Sequence, residues 1–525
     1  MRTLYRNGRI WTMDPARPEA DAMLVEDGRF RAVGAGEELA ALISPDVQEV
    51  DLGGRTVVPG LIDAHVHFSW FSLGLAQINL DGVATLQEAL ALVRERAAST
   101  PVDTVIRGQG FNANLWERWP TAADLDQVAP GHRVVLTSKD CHSLWVNTRV
   151  MREAGVAAAT ADPAGGHVMR DAHGEPTGVF QENAQDLVSG VVPEPTQAEL
   201  MAAIRAGMAY ANSVGVTSVH DMDGVNCFRA LQALDARGEL TVRFCKQIPE
   251  HALDWAIGAG LRTGFGNDWL RVGCVKVFSD GSLGSQTAWM LSGYEGRPDY
   301  RGVATHTDGT FLAVVEKAVR HDLSVAVHAI GDAANRMVLD VFERMAGESR
   351  SRGLRHRVEH CQLLTDADVP RFAALNVIAS VQPSHAPSDR YIADASWGAR
   401  SRLAYAFRSL LETGAHLAFG SDVPVEPLDP LAGIHAAVWR KRLTEPESAP
   451  WYPEQRLTVA EALYGFAMGA AYASGEERLK GSITPGALAD FVVLTHDIRP
   501  GDEETLAAVR PAATVVGGRL VFGDL

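Results

Sequence analysis

The chain has 525 residues, 46% hydrophobic and 22% charged, with a net charge of −17; it is too long for one ordinary domain and fits a barrel with appendages. The acidic balance argues against nucleic acid or an anionic membrane as partner, because both need a basic face. Five scattered cysteines, odd in number and without a C-x-x-C pair, exclude a disulfide framework and a structural zinc cluster.

The N-terminus, M-R-T-L-Y-R-N-G-R-I, lacks an apolar signal region, and no run of 18 apolar residues follows, so a soluble cytoplasmic protein is expected. Residues 1–56 read as short strands punctuated by Asn7-Gly8, Asp27-Gly28 and Gly53-Gly54. Strand-like runs return at 482–525, so the two ends are expected to pair into one composite β-sandwich around everything between them.

The central feature is Val57-Val-Pro-Gly-Leu-Ile-Asp-Ala-His-Val-His-Phe68. Strand side chains alternate faces, so His65 and His67 point the same way, as two imidazole ligands of one metal would. Apolar runs then recur at 216–220, 242–245, 272–278, 323–328, 357–360, 377–382 and 416–422, separated by helix-length stretches. With 61–65 they make eight, which predicts a (β/α)₈ TIM-like barrel formed by 57–69 and 201–481. A doubly wound open sheet is the alternative, but no Gly-rich phosphate loop follows any strand. Residues 70–200 break the rhythm with their own helix and strands, and read as an inserted subdomain after barrel strand one, expected to cover the active site.

Barrel enzymes carry their chemistry at the C-terminal strand ends. There the chain places His65 and His67 (strand one), Lys276 (four), His328 (five), His360 (six) and Asp422 (eight). Each alone has a bland explanation, such as a hydrogen-bonded core histidine or a helix N-cap aspartate. Six at the ends of five strands make a joint accident improbable.

With these motifs the chain resembles the amidohydrolase superfamily. It is most similar to the family-3 branch of N-substituted formamide deformylases and exoenzyme-regulatory-protein-like hydrolases. The resemblance rests on Pro59–His67, Val275–Gly284, Val327–Asp332, Arg357–Cys361, Gly420–Pro424 and Gly481–Asp490, in the family's order across nearly the whole chain. It implies that His65, His67 and Asp422 bind a more buried divalent ion, and that His328 and His360 bind a second. Lys276 would bridge the two as an N6-carboxylated lysine. An unmodified, cationic Lys276 would leave room for one ion only. Zinc is the expected metal, although His/carboxylate sites accept several. The implied reaction is hydrolysis of a non-peptide C–N bond (an amide, N-formyl or N-acyl compound, or cyclic amide) by a metal-activated hydroxide, with Asp422 as acid–base residue. An esterase or lactonase on the same centre, and a non-catalytic regulatory or binding protein, are the alternatives. The expected partner is a small amide-type substrate, and a homodimer is expected from the superfamily. Candidate substrate contacts are His142, His220, Arg297, His385 and Trp116.

Overall fold

A computed structural model describes residues 2–42, 44–139, 143–163 and 166–525. The chain divides into two compact units: 1–69 with 204–525, and 70–203.

The larger unit is built on eight strands: β1 Leu61–Val66, β2 Val216–Asp221, β3 Arg243–Pro249, β4 Leu270–Phe278, β5 Val325–Ala329, β6 Arg357–His360, β7 Ile378–Val381 and β8 Leu417–Phe419. They lie in sequence order, with every neighbouring pair parallel. Just past β8, Asp422 N–H donates to His65 O (2.8 Å) and His67 N–H to Val423 O (2.9 Å), which closes the sheet into a barrel. Strands buried on both faces explain the continuous Val/Ala/Ile runs of the sequence. Helices fill the connections. Asp308–Arg320 starts on the Thr307 hydroxyl, which accepts from Thr310 N–H, and Pro430–Trp439 starts on Asp429, whose carboxylate accepts from Leu431 and Ala432 N–H.

The chain ends meet in a six-stranded sheet ordered Arg519–Gly523, Pro511–Val516, Phe491–Leu494, Thr56–Pro59, Arg9–Trp11, Glu19–Ala20. Phe491–Leu494 runs antiparallel to Thr56–Pro59, so a C-terminal strand zips onto an N-terminal one. A four-stranded sheet, Arg29–Gly34, Ala22–Glu26, Arg2–Arg6 and Val47–Asp51, shares a core with it through Tyr5, Met23, Phe30, Val57, Phe491 and Val515. The switch from terminal sheet to barrel falls at Gly60. A Cβ there would lie 2.3 Å from the Thr217 hydroxyl, so only glycine lets β1 leave the terminal sheet against β2.

Barrel and terminal sheet are tied by a buried ion pair. Arg243 of β3 gives Nε–H to Asp490 Oδ2 (2.7 Å) and Nη2–H to Oδ1 (2.9 Å). Asp490→Ala strands the guanidinium in the interior and is expected to cost about 3–5 kcal/mol in an unfolding titration. A loss under about 1 kcal/mol would show that water solvates Arg243 instead.

At the N-terminal strand ends, His356 lies buried against Phe342 (ring centroids 4.7 Å apart). Its Nδ1 accepts from Val325 N–H (3.1 Å) and its Nε2 meets Ser349 Oγ (2.8 Å). Burial pushes its pKa down to about 4. The unfolded chain, titrating near 6.5, therefore binds the proton more readily than the folded one. His356's contribution is complete above pH 6.5 and is lost as the pH falls toward 4, by about 3 kcal/mol in all. His356→Gln is expected to flatten the stability–pH curve in that window, and an unchanged slope would assign the acid sensitivity to other groups.

The smaller unit, 70–203, carries a mixed six-stranded sheet ordered Gly166–Arg170, Pro176–Glu182, Ser143–Val146, Arg133–Ser138, Val105–Phe111, Ile78–Asn79. Helix Leu86–Ser99 opens with a reciprocal Thr85–Glu88 cap and packs into a core around Phe111, Trp116 and Trp145. Among the described residues, no helix is long and apolar enough to cross a membrane, and Cys227, Cys245, Cys274 and Cys361 are buried free thiols. Cys141 lies outside the described residues.

Candidate metal centre

The strand ends are bent to bring polar groups together. Asp63, buried within β1, accepts from His65 N–H (3.1 Å) and Ser421 N–H (2.9 Å), locking β1 to the segment after β8. Burial raises its pKa to about 7. The crossing is tight: a Cβ on Gly420 would sit 2.5 Å from His65 N. Three non-glycine residues here adopt left-handed backbone, His360 (φ +74°), Cys361 (+46°) and Asp422 (+61°). Such strain, about 1–3 kcal/mol each, persists where the surroundings over-determine it and clusters at functional sites.

The histidines are pinned one by one. His65 Nδ1 faces Glu359 Oε2 at 2.7 Å. Burial alone would raise the Glu359 carboxyl, but the Arg357 guanidinium, the bond to His65 and the charge of Lys276 together outweigh it and hold the acid well below its ordinary range. Glu359 is therefore an acceptor, so His65 donates Nδ1–H and its Nε2 carries the lone pair. His67 Nδ1 lies 3.1 Å from Asp223 Oδ1, whose Oδ2 accepts from Ser69 N–H (2.6 Å). His360 Nδ1 pairs with Gln382 Oε1 (2.9 Å), leaving Nε2 as its lone-pair nitrogen. His328 is the mirror case: its Nε2–H donates to Gly281 O (2.9 Å), so its lone pair is on Nδ1.

These nitrogens converge. The ring centroids are 4.9 Å apart for His65–His360, 4.5 Å for His328–His360 and 5.8 Å for His65–His67. Asp422 Oδ1 lies 3.4 Å from His65 Nε2 and 3.6 Å from His67 Nε2. Ligating atoms of His65, His360 and Asp422 all fall within 4.8 Å of one another. Burial lowers the pKa of His65, of His328 (to about 3) and of His360, keeping them neutral. At His67 burial acts in the same sense, but the bond to Asp223 and the charge of Asp422 overcome it and raise the pKa.

Lys276 of β4 is buried, and its Nζ has no hydrogen-bond partner among the described residues. The ammonium lies over the Phe278 ring (4.7 Å), and that ring sits beside His328 (5.2 Å). Burial pushes its pKa down to about 8.

This donor set fits a divalent cation. A lone-pair nitrogen and a carboxylate oxygen facing each other at 3.4 Å are two acceptors, and a cation between them removes the conflict. A buried amine without a partner beside them is a further unmet polar group. A second acidic cluster, Asp221, Asp223 and Cys227, already has its cation: Lys246 Nζ lies 3.0 Å from Asp221 Oδ2.

The structure thus brings together His65, His67, Lys276, His328, His360 and Asp422, and adds His385, whose Nε2 lies 3.8 Å from Asp422 Oδ2. His220 is buried in the barrel interior, with Nδ1 accepting from Arg357 Nη1 (2.8 Å). Arg297 is exposed on the loop after β4, bonded to Gln286 and lying over Tyr300. Trp116 belongs to the core of the smaller unit, stacked on Phe111, with its indole N–H on Val83 O. His142 lies outside the described residues. Sequence reasoning passed over Glu359, Arg357, Asp223, Gln382 and Asp63. The available signal was charge inside apolar strands: Arg357-Val-Glu359 puts two opposite charges on one strand face.

The model of the amidohydrolase family matches residues 48–522. The chain is 34% identical over 536 residues to Protein LONG AFTER FAR-RED 3 of Arabidopsis thaliana, covering 99% of this chain and 91% of that protein. It is 28% identical over 519 residues to an N-substituted formamide deformylase of Arthrobacter pascens, covering 94% and 93%. Among solved structures, a metal-dependent hydrolase from Pyrococcus horikoshii OT3 superposes with a TM-score of 0.82 at 27% identity, over 95% of this chain and 98% of that one.

Proposed function

This chain belongs to the amidohydrolase family, as a metal-dependent hydrolase of that superfamily, and from this premise we propose that it cleaves a non-peptide C–N bond in an amide, N-formyl, N-acyl or cyclic amide substrate. The observation that carries the metal assignment is the 3.4 Å approach of His65 Nε2 to Asp422 Oδ1, with the His65 proton committed to Glu359. The deformylase relative supports the choice of bond.

In this reading His65, His67 and Asp422 would hold one ion, and His328 and His360 would hold a second. Lys276, converted by CO₂ to a carbamate, would supply a further oxygen donor to the ions: its depressed pKa leaves a share of neutral amine able to take up CO₂. Bound divalent ions supply Lewis acidity, which acidifies water and polarises a carbonyl oxygen. The chain's own residues do the rest. Asp422 takes the proton of the attacking water on a carboxylate oxygen and returns it to the leaving nitrogen. Glu359, Asp223, Gln382 and the Gly281 carbonyl hold the four imidazoles in one orientation each, so little reorganisation is needed during turnover. His385, 3.8 Å from Asp422 Oδ2, would orient the substrate. The half-exposed Phe278 ring offers an apolar wall next to Lys276 and His328.

Metal content per chain, in protein purified without chelator, combined with a panel of N-formyl, N-acyl and cyclic amides, esters and lactones, tests the proposal. About two ions per chain and turnover of amides ahead of esters is the expected result. Turnover of esters or lactones alone would transfer the site to that chemistry. No ion, and none taken up on reconstitution, would remove the mechanism.

A further inference from the structure

Resting on the metal reading above, we propose that the Arg357–Glu359 pair inside the barrel is the positioning device of the metal centre, fixing the tautomer and aim of His65. Barrel interiors are ordinarily filled by branched apolar side chains. Here β6 turns an arginine and a glutamate inward, both essentially without solvent exposure. Arg357 gives Nε–H to Glu359 Oε1 and Nη2–H to Oε2 (2.9 Å). The same Nη2 reaches Ala64 O on β1 (2.6 Å) and Ser380 Oγ on β7 (2.6 Å), and Nη1 reaches His220 Nδ1 on β2 (2.8 Å). One guanidinium therefore joins β6 to three other strands, one bond landing on the residue just before His65. The carboxylate it orients takes the His65 Nδ1–H at 2.7 Å. Arg357 thus fixes the backbone beside His65 while Glu359 fixes its ring.

Stability does not explain the pair. Removing two charges from water is costly, and apolar side chains of similar volume commonly serve a fold as well or better. An apolar pair would leave His65 free to exchange tautomers and to turn its lone pair away from Asp422. An anionic acceptor on Nδ1–H also makes Nε2 a better donor to a cation.

The test is the zinc affinity of the stripped, full-length protein, measured with zinc alone against a chromophoric chelator. Glu359→Gln is expected to weaken zinc binding by about 10- to 100-fold. Because it strands the Arg357 guanidinium, the double variant R357M/E359M, which removes both charges of the pair, is measured beside it. That variant is expected to keep or exceed the wild-type apo Tm and still lose at least about 10-fold in zinc affinity. A pair with a merely structural role predicts the opposite, a lowered Tm with unchanged affinity, and that result overturns the proposal. Wild-type protein that binds no zinc overturns the metal reading itself. Tight wild-type binding matched by R357M/E359M leaves the metal reading standing and overturns the positioning role alone.

Discussion

Asp422→Asn is expected to lower kcat by about 10²- to 10⁴-fold, the span attached to a general acid–base group, with the fold intact. The backbone reason for choosing asparagine is local. Asp422 sits at φ +61°, a left-handed conformation that asparagine tolerates and most other side chains resist. The amide matches the carboxylate in shape and keeps an oxygen toward His65 and His67. What it loses is the capacity to take a proton. Asp422 is also a ligand candidate, so metal content has to be read with the rate. Loss of turnover with metal retained assigns the proton transfer to Asp422; retained turnover with metal present would remove it from that role.

Lys276→Met is expected to move stability and function in opposite directions. The Lys276 amine is buried without a hydrogen-bond partner among the described residues, a desolvation penalty of about 1–3 kcal/mol. Methionine fills similar space with no polar atom, so the metal-free protein should gain stability of that order. The same change removes the group proposed to bridge the ions, so ion content should fall from about two per chain to about one, with turnover falling alongside it. Equal metal content in the variant would show that Lys276 does not bridge. An unchanged apo Tm would show that the wild-type amine is solvated. The pairing of both effects is what a strained functional residue predicts, stability given up where activity needs it.

The barrel is legible in the sequence because its strands are buried on both faces. Runs such as Val325-Ala-Val and Val272-Gly-Cys-Val stand out against amphipathic surroundings, and the terminal residue of each run marks a strand end. His65, Lys276, His328, His360 and Asp422 could be placed on that basis. The groups that orient them could not. Glu359 and His65 are 294 residues apart, Asp223 and His67 are 156 apart, and His328 is held by a backbone carbonyl with no side-chain signature. Which partners meet is decided by the closed barrel; the charges of Arg357-Val-Glu359 inside an apolar strand flag the pair, but not that Glu359 meets His65. Loop residues were equally opaque: Arg297 follows β4 yet bonds to Gln286, and Trp116 satisfies its large apolar ring in the core of the smaller unit.

The zipping of Phe491–Leu494 onto Thr56–Pro59 has a consequence for biosynthesis. On the ribosome, the first strands emerge nearly a whole chain ahead of the strand that completes their sheet. At about 5–20 residues per second the delay is on the order of tens of seconds. Through that interval Thr56–Pro59 presents an open backbone edge on its C-terminal-partner side, with Val57 and Val58 ready to pair with another nascent chain. The hazard ends only when the last strands arrive, so a message truncated before Phe491 would yield a chain whose barrel residues are all present and whose terminal sheet stays unsealed. Such chains are the expected substrates of holdase chaperones and quality-control proteases.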